Sequence, residues 1–161
     1  GLLDDVRDYT AVLAALGRAG RWREALAVLP EMAERGIRPN EVTYGAAVSA
    51  SEKAGQWAWA VELLSQQRSE GLPPNAMTYS VTLGACARAR QWDSCLQLLA
   101  DMQGARLSPN AVNYNQATNA CAKMNRWESV LELIQGMQRQ RVQPTVVTYS
   151  TALGACAREE H

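Results

Sequence analysis

The chain has no excess of charge, a single histidine and no long apolar run. Its 16 lysine and arginine residues balance 16 aspartate and glutamate residues, so no overall positive field indicates a nucleic-acid partner. No apolar stretch approaches the roughly 18 residues that cross a bilayer, so no membrane span is expected. The first five residues also lack the basic and apolar pattern of a targeting peptide.

The residues that usually carry catalysis are equally scarce. His161 is terminal and has no partner, and the chain contains no His–Cys–Glu cluster, no glycine-rich phosphate loop and no repeated carboxylate pair. Cys86, Cys121 and Cys156 recur every 35 residues at a position expected to face the core. Cys95 is not part of a Cys or His spacing that binds metal. We expect all four thiols to be small buried hydrophobic groups in a reducing compartment. The expected protein is a binder and not an enzyme, with no metal, no cofactor and no small-molecule substrate.

What the chain does contain is a short sequence motif repeated at a fixed interval. Tyrosine, tryptophan and proline each recur every 35 residues, and a fixed period of roughly 20–50 residues is typical of stacked repeats. The positions are Tyr9, Tyr44, Tyr79, Tyr114 and Tyr149, then Trp22, Trp57, Trp92 and Trp127, then Pro39, Pro74, Pro109 and Pro144. The period predicts repeats at 6–40, 41–75, 76–110 and 111–145. Residues 1–5 then end an earlier repeat and 146–161 form the first helix of a fifth, as in an internal part of a longer array.

Each repeat predicts two helices. Apolar and small residues fall at i, i+3, i+4 and i+7 from the tyrosine, and the same spacing starts again at the tryptophan, as in Trp57, Ala60, Val61 and Leu64. The breaks within repeats are predicted at Ala19-Gly20, Ala54-Gly55, Ala89-Arg90 and Met124-Asn125, and the second helices are predicted to end near Gly36, Gly71, Gly104 and Gly136. Pro30 predicts a local kink. The predicted fold is all-α, a solenoid of stacked antiparallel helix pairs.

The first helix of each repeat has a second face, opposite the tyrosine stripe at 100° per residue. This face carries an aliphatic residue in most repeats, then a small or amide residue directly after the tyrosine, then a cation. The cations are Arg18, Lys53, Arg88, Lys123 and Arg158, so a neutral chain still holds a positive ladder. Asn40, Asn75 and Asn110 follow a proline and precede a helix, which is a good N-cap position. Capping alone could account for these three residues, and that alternative stays open.

Residues 77–110, MTYSVTLGACARARQWDSCLQLLADMQGARLSPN, resemble the repeat of the pentatricopeptide repeat (PPR) proteins, with Met77 in place of Val. The resemblance covers essentially the whole chain. It implies a right-handed α-solenoid that binds single-stranded RNA, about one nucleotide per repeat, in mitochondria or chloroplasts. It also implies that the base is chosen by the residue after the tyrosine together with the residue after the following proline. These base-reading residues are Thr10 with Asn40, Gly45 with Asn75, Ser80 with Asn110, Asn115 with Thr145, and Ser150.

The same resemblance implies further roles. A hydroxyl paired with Asn is expected to favour adenine, and Asn paired with a hydroxyl is expected to favour a pyrimidine. The base-stacking residues are Arg7, Val42, Met77, Val112 and Val147, and the five cations are expected to contact phosphates. Gly45 has no side chain with which to read a base, and Arg7 replaces an aliphatic residue but can stack through its guanidinium plane. For the four periodic tryptophans, core packing is favoured over stacking.

Two functions are open at this point. The first is a sequence-selective RNA-binding array that acts in organellar RNA processing, stability or translation. The second is a protein-interaction scaffold or a structural subunit of a large organellar assembly such as a ribosome. The 35-residue period, the cation ladder and the polar residues after each tyrosine favour RNA, whereas the neutral net charge and Gly45 favour a protein partner.

Overall fold

The computed structural model describes residues 5–158 and divides the chain into two units, Gly1–Ala85 and Cys86–His161. Helices and the turns between them account for the described residues, without a strand. The helices are α1 (Val6–Arg18), α2 (Trp22–Glu34), α3 (Glu41–Lys53), α4 (Trp57–Ser69), α5 (Ala76–Arg88), α6 (Trp92–Gly104), α7 (Ala111–Lys123), α8 (Trp127–Arg139) and α9 (Val146–Cys156). The predicted all-α helical-repeat class is confirmed, while the right-handed superhelix stays a prediction. Between residues 5 and 158, no helix has the length and apolar character needed to span a membrane.

The core of the first unit is built on the tyrosine face of its first helices. Tyr9 and Leu13 of α1 and Tyr44 of α3 are at most 1% exposed, and they pack with the inner face of α2 and with part of α4. In the second unit Tyr114 and Cys121 of α7 are likewise buried, beside Val130 of α8. The periodicity that predicted this face of the first helices is therefore confirmed.

The buried stripe of the second helices lies three residues later than predicted. In α4 it consists of Ala60, Leu63, Leu64 and Gln67, whereas Trp57 and Val61 are only partly buried. The tryptophan occupies the first helical position, so its ring lies at the edge of the core and leaves one face open to a cation. Arg23 lies over the ring of Trp22 at 4.9 Å, and Arg126 lies over that of Trp92 at 4.5 Å. The tryptophans are boundary residues and not fully buried core.

Two further core predictions are wrong for the last helix. Cys156 is exposed, whereas Cys86, Cys95 and Cys121 are buried. Tyr149 is 50% exposed, although the other four periodic tyrosines are at most 2% exposed. In the part of the chain that the structure describes, no second helix follows α9 to cover this face.

The first helices α1 and α3 approach each other closely at one point. A Cβ added to Gly17 would lie 2.9 Å from the Cβ of Ala50, which is closer than real side chains come. Gly17 is therefore required by packing and not by a turn. The sequence contained a signal for this contact, because alanine recurs at Ala15, Ala50, Ala85, Ala120 and Ala155, but periodicity of apolar residues does not distinguish a close approach from ordinary burial.

The turns after the helices use the left-handed backbone region. The predicted breaks within repeats are found at Gly20, Gly55, Arg90 and Asn125, each with positive φ. The second helices end at Glu34, Ser69, Gly104 and Arg139, and the left-handed residues that follow are Gly36, Gly71, Arg106 and Arg141. The end predicted near Gly104 is confirmed, because α6 ends at that residue. The predicted stop at Gly136 is wrong, because α8 continues through Gly136 to Arg139. Helix α2 continues through Pro30, so a kink there stays a prediction.

Candidate nucleic-acid interface

The residue after each periodic proline caps the first helix that follows it. Asn40 Oδ1 accepts a hydrogen bond from the backbone N–H of Thr43 at 2.9 Å, and Asn75 Oδ1 accepts one from Thr78 at 2.9 Å. In the second unit, Asn110 caps α7 and Thr145 caps α9 in the same way. Such a cap stabilises a helix by about 0.5–2 kcal/mol. The capping interpretation is confirmed, and any base-reading role of these residues comes in addition to it.

In the first unit, the predicted reading residues Thr10 and Asn40 are linked through a third side chain. Thr43 Oγ1 lies 3.0 Å from Thr10 Oγ1 and 3.0 Å from Asn40 Oδ1. The Thr10 hydroxyl has one proton, which it can donate either to the carbonyl oxygen of Val6 at 2.7 Å or to Thr43 Oγ1. The pair is therefore brought together in space, although the two residues are 30 positions apart in the sequence.

In the second unit, the predicted pair Asn115 and Thr145 is in direct contact. Asn115 Nδ2 donates to Thr145 Oγ1 at 3.2 Å, and Asn115 Oδ1 accepts from the hydroxyl of Thr148 at 2.6 Å. Thr145 is exposed and Asn115 is partly buried, so the pair lies at the surface of the unit. An amide and a hydroxyl can donate to and accept from the edge of a base.

A groove in the first unit joins the predicted stacking and reading residues. It has a volume of about 430 Å³ and is lined by Arg7, Thr10, Ala11, Ala14, Asn40 and Val42. Val42 is 66% exposed, an unusual setting for an aliphatic side chain in a first helix whose tyrosine face is buried. The groove is mostly apolar, and it brings Thr10 and Asn40 together with the side chains of Arg7 and Val42.

The other predicted stacking residues are also exposed. Met77, Val112 and Val147 are 71%, 60% and 61% exposed, each at the second position of its helix. Single exposed apolar residues are common on protein surfaces, but these recur at the same position of successive first helices. The recurrence indicates a surface that is kept apolar at this position.

The predicted phosphate-contacting cations lie at the other end of the first helices. Arg18, Lys53, Arg88 and Lys123 are the last residues of their helices and are exposed. A cation at a helix C-terminus also interacts favourably with the helix dipole, by about 0.3–1 kcal/mol. Arg158 follows the end of α9, and its guanidinium donates to the carbonyl oxygen of Gly154 at 2.8 Å. Phosphate contact by these five side chains stays a prediction.

The remaining predicted reading positions differ in what they can offer. Gly45 faces open space, since no heavy atom lies within 4 Å of the position that a Cβ would take. Its site therefore consists of Asn75 alone. Ser150 is exposed on α9. Ser80 and Asn110 belong to different units, and their pairing stays a prediction.

Sequence reasoning missed the residue before the tyrosine in α3, α5, α7 and α9. These residues are Thr43, Thr78, Asn113 and Thr148, and they are 0%, 3%, 0% and 1% exposed. In α3, α7 and α9 the side chain of this residue also accepts a hydrogen bond from the backbone N–H of the capping residue, so that cap and partner satisfy each other. A polar residue next to every core tyrosine was the available signal.

Among residues 5–158, no three His, Cys, Asp or Glu side chains are placed to hold a metal ion. Burial raises the pKa of the Cys86 thiol to about 12 and that of Cys121 to about 11. These thiols are protonated at neutral pH and are therefore poor nucleophiles.

Comparisons with known proteins agree with the geometry. A family model described as the PPR repeat family matches residues 4–51 and 109–158, and a model of the pentatricopeptide repeat domain matches residues 62–124. Among curated proteins, the chloroplastic pentatricopeptide repeat-containing protein 10 of Zea mays is 52% identical over 40 residues, which are 25% of this chain and 5% of that protein.

Solved structures are similar over almost the whole chain. The crystal structure of the maize protein PPR10 matches with a TM-score of 0.85 at 18% identity, over 97% of this chain and 22% of that one. PPR10 in complex with an 18-nt psaJ RNA element matches with a TM-score of 0.74 at 32% identity, over 96% of this chain and 23% of that one. The chain thus spans less than a quarter of the length of these relatives.

Proposed function

The chain belongs to the pentatricopeptide repeat family, and from this premise we propose that it is a single-stranded RNA-binding array that holds about one nucleotide per repeat. The observation that carries the proposal is the groove of about 430 Å³ in the first unit, where Arg7 and Val42 accompany Thr10 and Asn40. Aliphatic and guanidinium surfaces can pack on the faces of a base, and the hydroxyl and amide can meet its edge. RNA recognition of this kind needs unpaired bases, because paired bases hide their edges.

The hydrogen-bonding side chains of the proposed sites support base selectivity in addition to binding. The Asn115–Thr145 pair presents an amide and a hydroxyl, and the Thr10–Asn40 pair presents the same two groups in the opposite order. We expect a pyrimidine at the first of these pairs and adenine at the second. The Gly45 site lacks one of the two groups and is expected to hold a base with little selectivity.

The setting of this activity is proposed from the relatives. The curated maize relative is chloroplastic by name, and its solved structure holds an RNA element. We therefore propose that the array acts in an organelle, on the processing, stability or translation of a transcript. Its proposed role is to bind the RNA and not to cleave it.

Filter binding of short random RNA and DNA oligonucleotides tests the proposal. We expect single-stranded RNA to bind and to be preferred over DNA and over duplex RNA. Val42→Ser with Val112→Ser should weaken RNA binding, because each removes an exposed aliphatic surface from a proposed base site. Base stacking on aromatic side chains is worth about 1–3 kcal/mol, so about 1 kcal/mol for each smaller aliphatic residue is a reasonable expectation.

Leu131→Ser is the matched control for that experiment. Leu131 is an aliphatic residue, 40% exposed, on the second helix α8 and outside the proposed sites. Its substitution should leave RNA affinity unchanged. Equal losses from both sets of variants, or no RNA binding by the unaltered protein, would contradict the proposal and would favour a protein partner.

A further inference from the structure

The residue before each of the tyrosines in α3, α5, α7 and α9 is polar although it is buried. Thr43 and Thr148 are 0% and 1% exposed, at a helical position where an aliphatic residue of the same shape would be the simplest core choice. Burying a hydroxyl is unfavourable unless it is hydrogen-bonded. The hydrogen-bond partners of these hydroxyls therefore indicate the structural role of the buried polar residue.

In the second unit, Thr148 fixes the amide of Asn115. The Thr148 hydroxyl donates to Asn115 Oδ1 at 2.6 Å, and the amide nitrogen donates to Thr145 Oγ1 at 3.2 Å. Thr148 Oγ1 already accepts from the backbone N–H of Thr145 at 2.9 Å, which favours donation of its own proton to Asn115. Each amide has two N–H groups and two acceptor sites, and each of these bonds uses one. One N–H and one lone pair of the Asn115 amide are left to face a base. Their positions depend on the hydrogen bond that the amide oxygen accepts from Thr148.

Without the Thr148 hydroxyl, the amide would lose this constraint. A flipped amide could accept from the hydroxyl of Thr145 through Oδ1, since a hydroxyl both donates and accepts. The flip would exchange the positions of the free N–H and the free lone pair. The base would then meet the opposite pattern of donor and acceptor, and the two orientations together would discriminate poorly.

In the first unit, Thr43 occupies the same position between the two reading residues. Its Oγ1 lies 3.0 Å from both Thr10 Oγ1 and Asn40 Oδ1. The Asn40 oxygen also accepts from the backbone N–H of Thr43, so both of its bonds within the protein come from one residue. The Asn40 amide nitrogen is therefore directed away from Thr43.

The repeat that contains Gly45 provides a natural comparison. Thr78 is buried like Thr43, and its hydroxyl donates to Asn75 Oδ1 at 3.1 Å. Residue 45 has no side chain, so Thr78 has only the capping residue to orient. An effect that depends on the residue after the tyrosine cannot arise at this site.

We propose that Thr148 and Thr43 are positioning residues that set the base preference of their sites by fixing the orientation of the side chains that face the base. The proposal rests on the RNA-binding function proposed above. Neither residue touches the base, because both are buried. A threonine behind the reading pair is thus a third determinant of specificity, beyond the two residues that meet the nucleotide.

Competition binding with RNAs that differ only at the nucleotide facing the Asn115 site tests the proposal. Thr148→Val keeps the shape and removes the hydroxyl. We expect its preference for a pyrimidine over a purine to fall by roughly two- to tenfold, which corresponds to one net hydrogen bond. Thr148→Ser retains the hydroxyl and should keep the preference. Thr78→Val is the control, since it removes the equivalent hydroxyl from another repeat and should leave the preference at the Asn115 site unchanged.

A second measurement does not depend on RNA. The side-chain amide of Asn115 gives a pair of ¹H–¹⁵N resonances, and we expect Thr148→Val to shift or broaden this pair, whereas Thr148→Ser and Thr78→Val should not. A variant that keeps both the base preference and the amide resonances of the unaltered protein would overturn the proposal. If Thr148→Val does not fold, Thr43→Val poses the same question at the Thr10–Asn40 site, with loss of the adenine preference as the expected result.

These measurements separate the two proposals. An unaltered protein that shows no preference among bases would contradict selective RNA binding, while a shifted Asn115 amide in Thr148→Val would still support the positioning role. A clear preference in the unaltered protein that survives in folded Thr148→Val and Thr43→Val would contradict only the positioning role.

Discussion

The two units build the same turns from different residues. In the first unit the left-handed residues are all glycine, with φ of 72° at Gly20, 70° at Gly36, 69° at Gly55 and 76° at Gly71. In the second unit they are Arg90, Arg106, Asn125 and Arg141, with φ of 59°, 58°, 54° and 57°. The left-handed region costs a residue with a side chain roughly 1–2 kcal/mol, with Asn among the least penalised. The second unit keeps the backbone geometry at that cost.

The hydrogen bonds explain why the turn survives the change of residue. Arg21 N–H bonds to the carbonyl of Leu16 at 2.9 Å in the first unit, and Gln91 N–H bonds to that of Cys86 at 2.9 Å in the second. This backbone hydrogen bond, between residues five positions apart, closes the helix end in both units. The position within the 35-residue repeat therefore determines the backbone conformation of the turn, and the residue at that position changes its cost.

The largest expected difference concerns the core tyrosine. Tyr44→Ala in the first unit should lower the free energy of unfolding by about 3–5 kcal/mol, because a large and fully buried ring is lost. Tyr149→Ala at the equivalent position of α9 should cost less than about 1 kcal/mol, because half of that ring is already exposed. Urea denaturation of the two variants measures both values. Similar losses would contradict the assignment of Tyr149 to the surface.

The second prediction moves a complete reading site from one unit to the other. Gly45→Asn with Asn75→Thr reproduces the Asn115–Thr145 pair in the first unit, where Thr78 already stands in for Thr148. We expect this site to gain a pyrimidine preference of about 1–3 kcal/mol, by analogy with single good side-chain contacts to a base. The new side chain has room, since no atom lies within 4 Å of the Gly45 Cβ position.

Competition among RNAs that differ at that nucleotide measures the gain. Gly45→Ala with Asn75→Thr is the control, because it adds a Cβ and changes the cap without adding an amide. A folded Asn–Thr variant that ranks the four bases as this control does would show that residue 45 does not read.

The third prediction exchanges residues between turns. Gly55→Arg should destabilise the protein by roughly 1–2 kcal/mol through φ alone, since a Cβ at Gly55 meets no neighbour. Arg90→Gly at the equivalent turn should stabilise it, by less than about 1 kcal/mol because glycine also makes the unfolded chain more flexible. Thermal and urea unfolding provide the measurement. Opposite signs are required, so an Arg90→Gly variant that loses stability would mean that Arg90 makes a favourable contact of its own.

The smallest expected effect is on the salt dependence of RNA binding. Five phosphate contacts predict a slope of about −3.5 for log affinity against log salt, at about −0.7 per contact on single strands. Lys53→Gln in the first unit and Lys123→Gln in the second should each flatten this slope by about 0.7 without changing base preference. Arg106→Gln, which removes an exposed cation from a turn, is the control. An unchanged slope in both lysine variants would assign these cations to helix stabilisation alone.

Sequence predicted the parts of this molecule that depend on local spacing. The 35-residue ladders and the tyrosine-based spacing located the first helices and their buried face, because both are properties of one short segment. The caps after each proline were predictable for the same reason. The pairing of Thr10 with Asn40 and of Asn115 with Thr145 came from the resemblance, and the hydrogen bonds now show that each pair is close in space.

The features that sequence missed depend on contacts between segments. The edge position of Trp57 follows from how the start of α4 meets its neighbours. The exposure of Cys156 follows from the lack, within residues 5–158, of a second helix after α9 that would cover this face. Gly136 was predicted to end a helix only because glycine often follows helix ends. The turn lies instead at Arg141, 35 residues after the equivalent Arg106. Thr148 looked like an ordinary helix residue until its hydrogen bond to Asn115, 33 positions away, was visible.

The capping residues limit how such an array can evolve. Asn40, Asn75, Asn110 and Thr145 each hold the start of a helix, so natural selection can accept at these positions only the short list of residues that cap well. Asn, Asp, Ser and Thr belong to that list, and they also differ in what they offer a base. Under the proposed function, a change of target therefore proceeds through substitutions that are nearly neutral for folding. New specificities can therefore evolve through variants that all fold, but only a few residue types are available at this position.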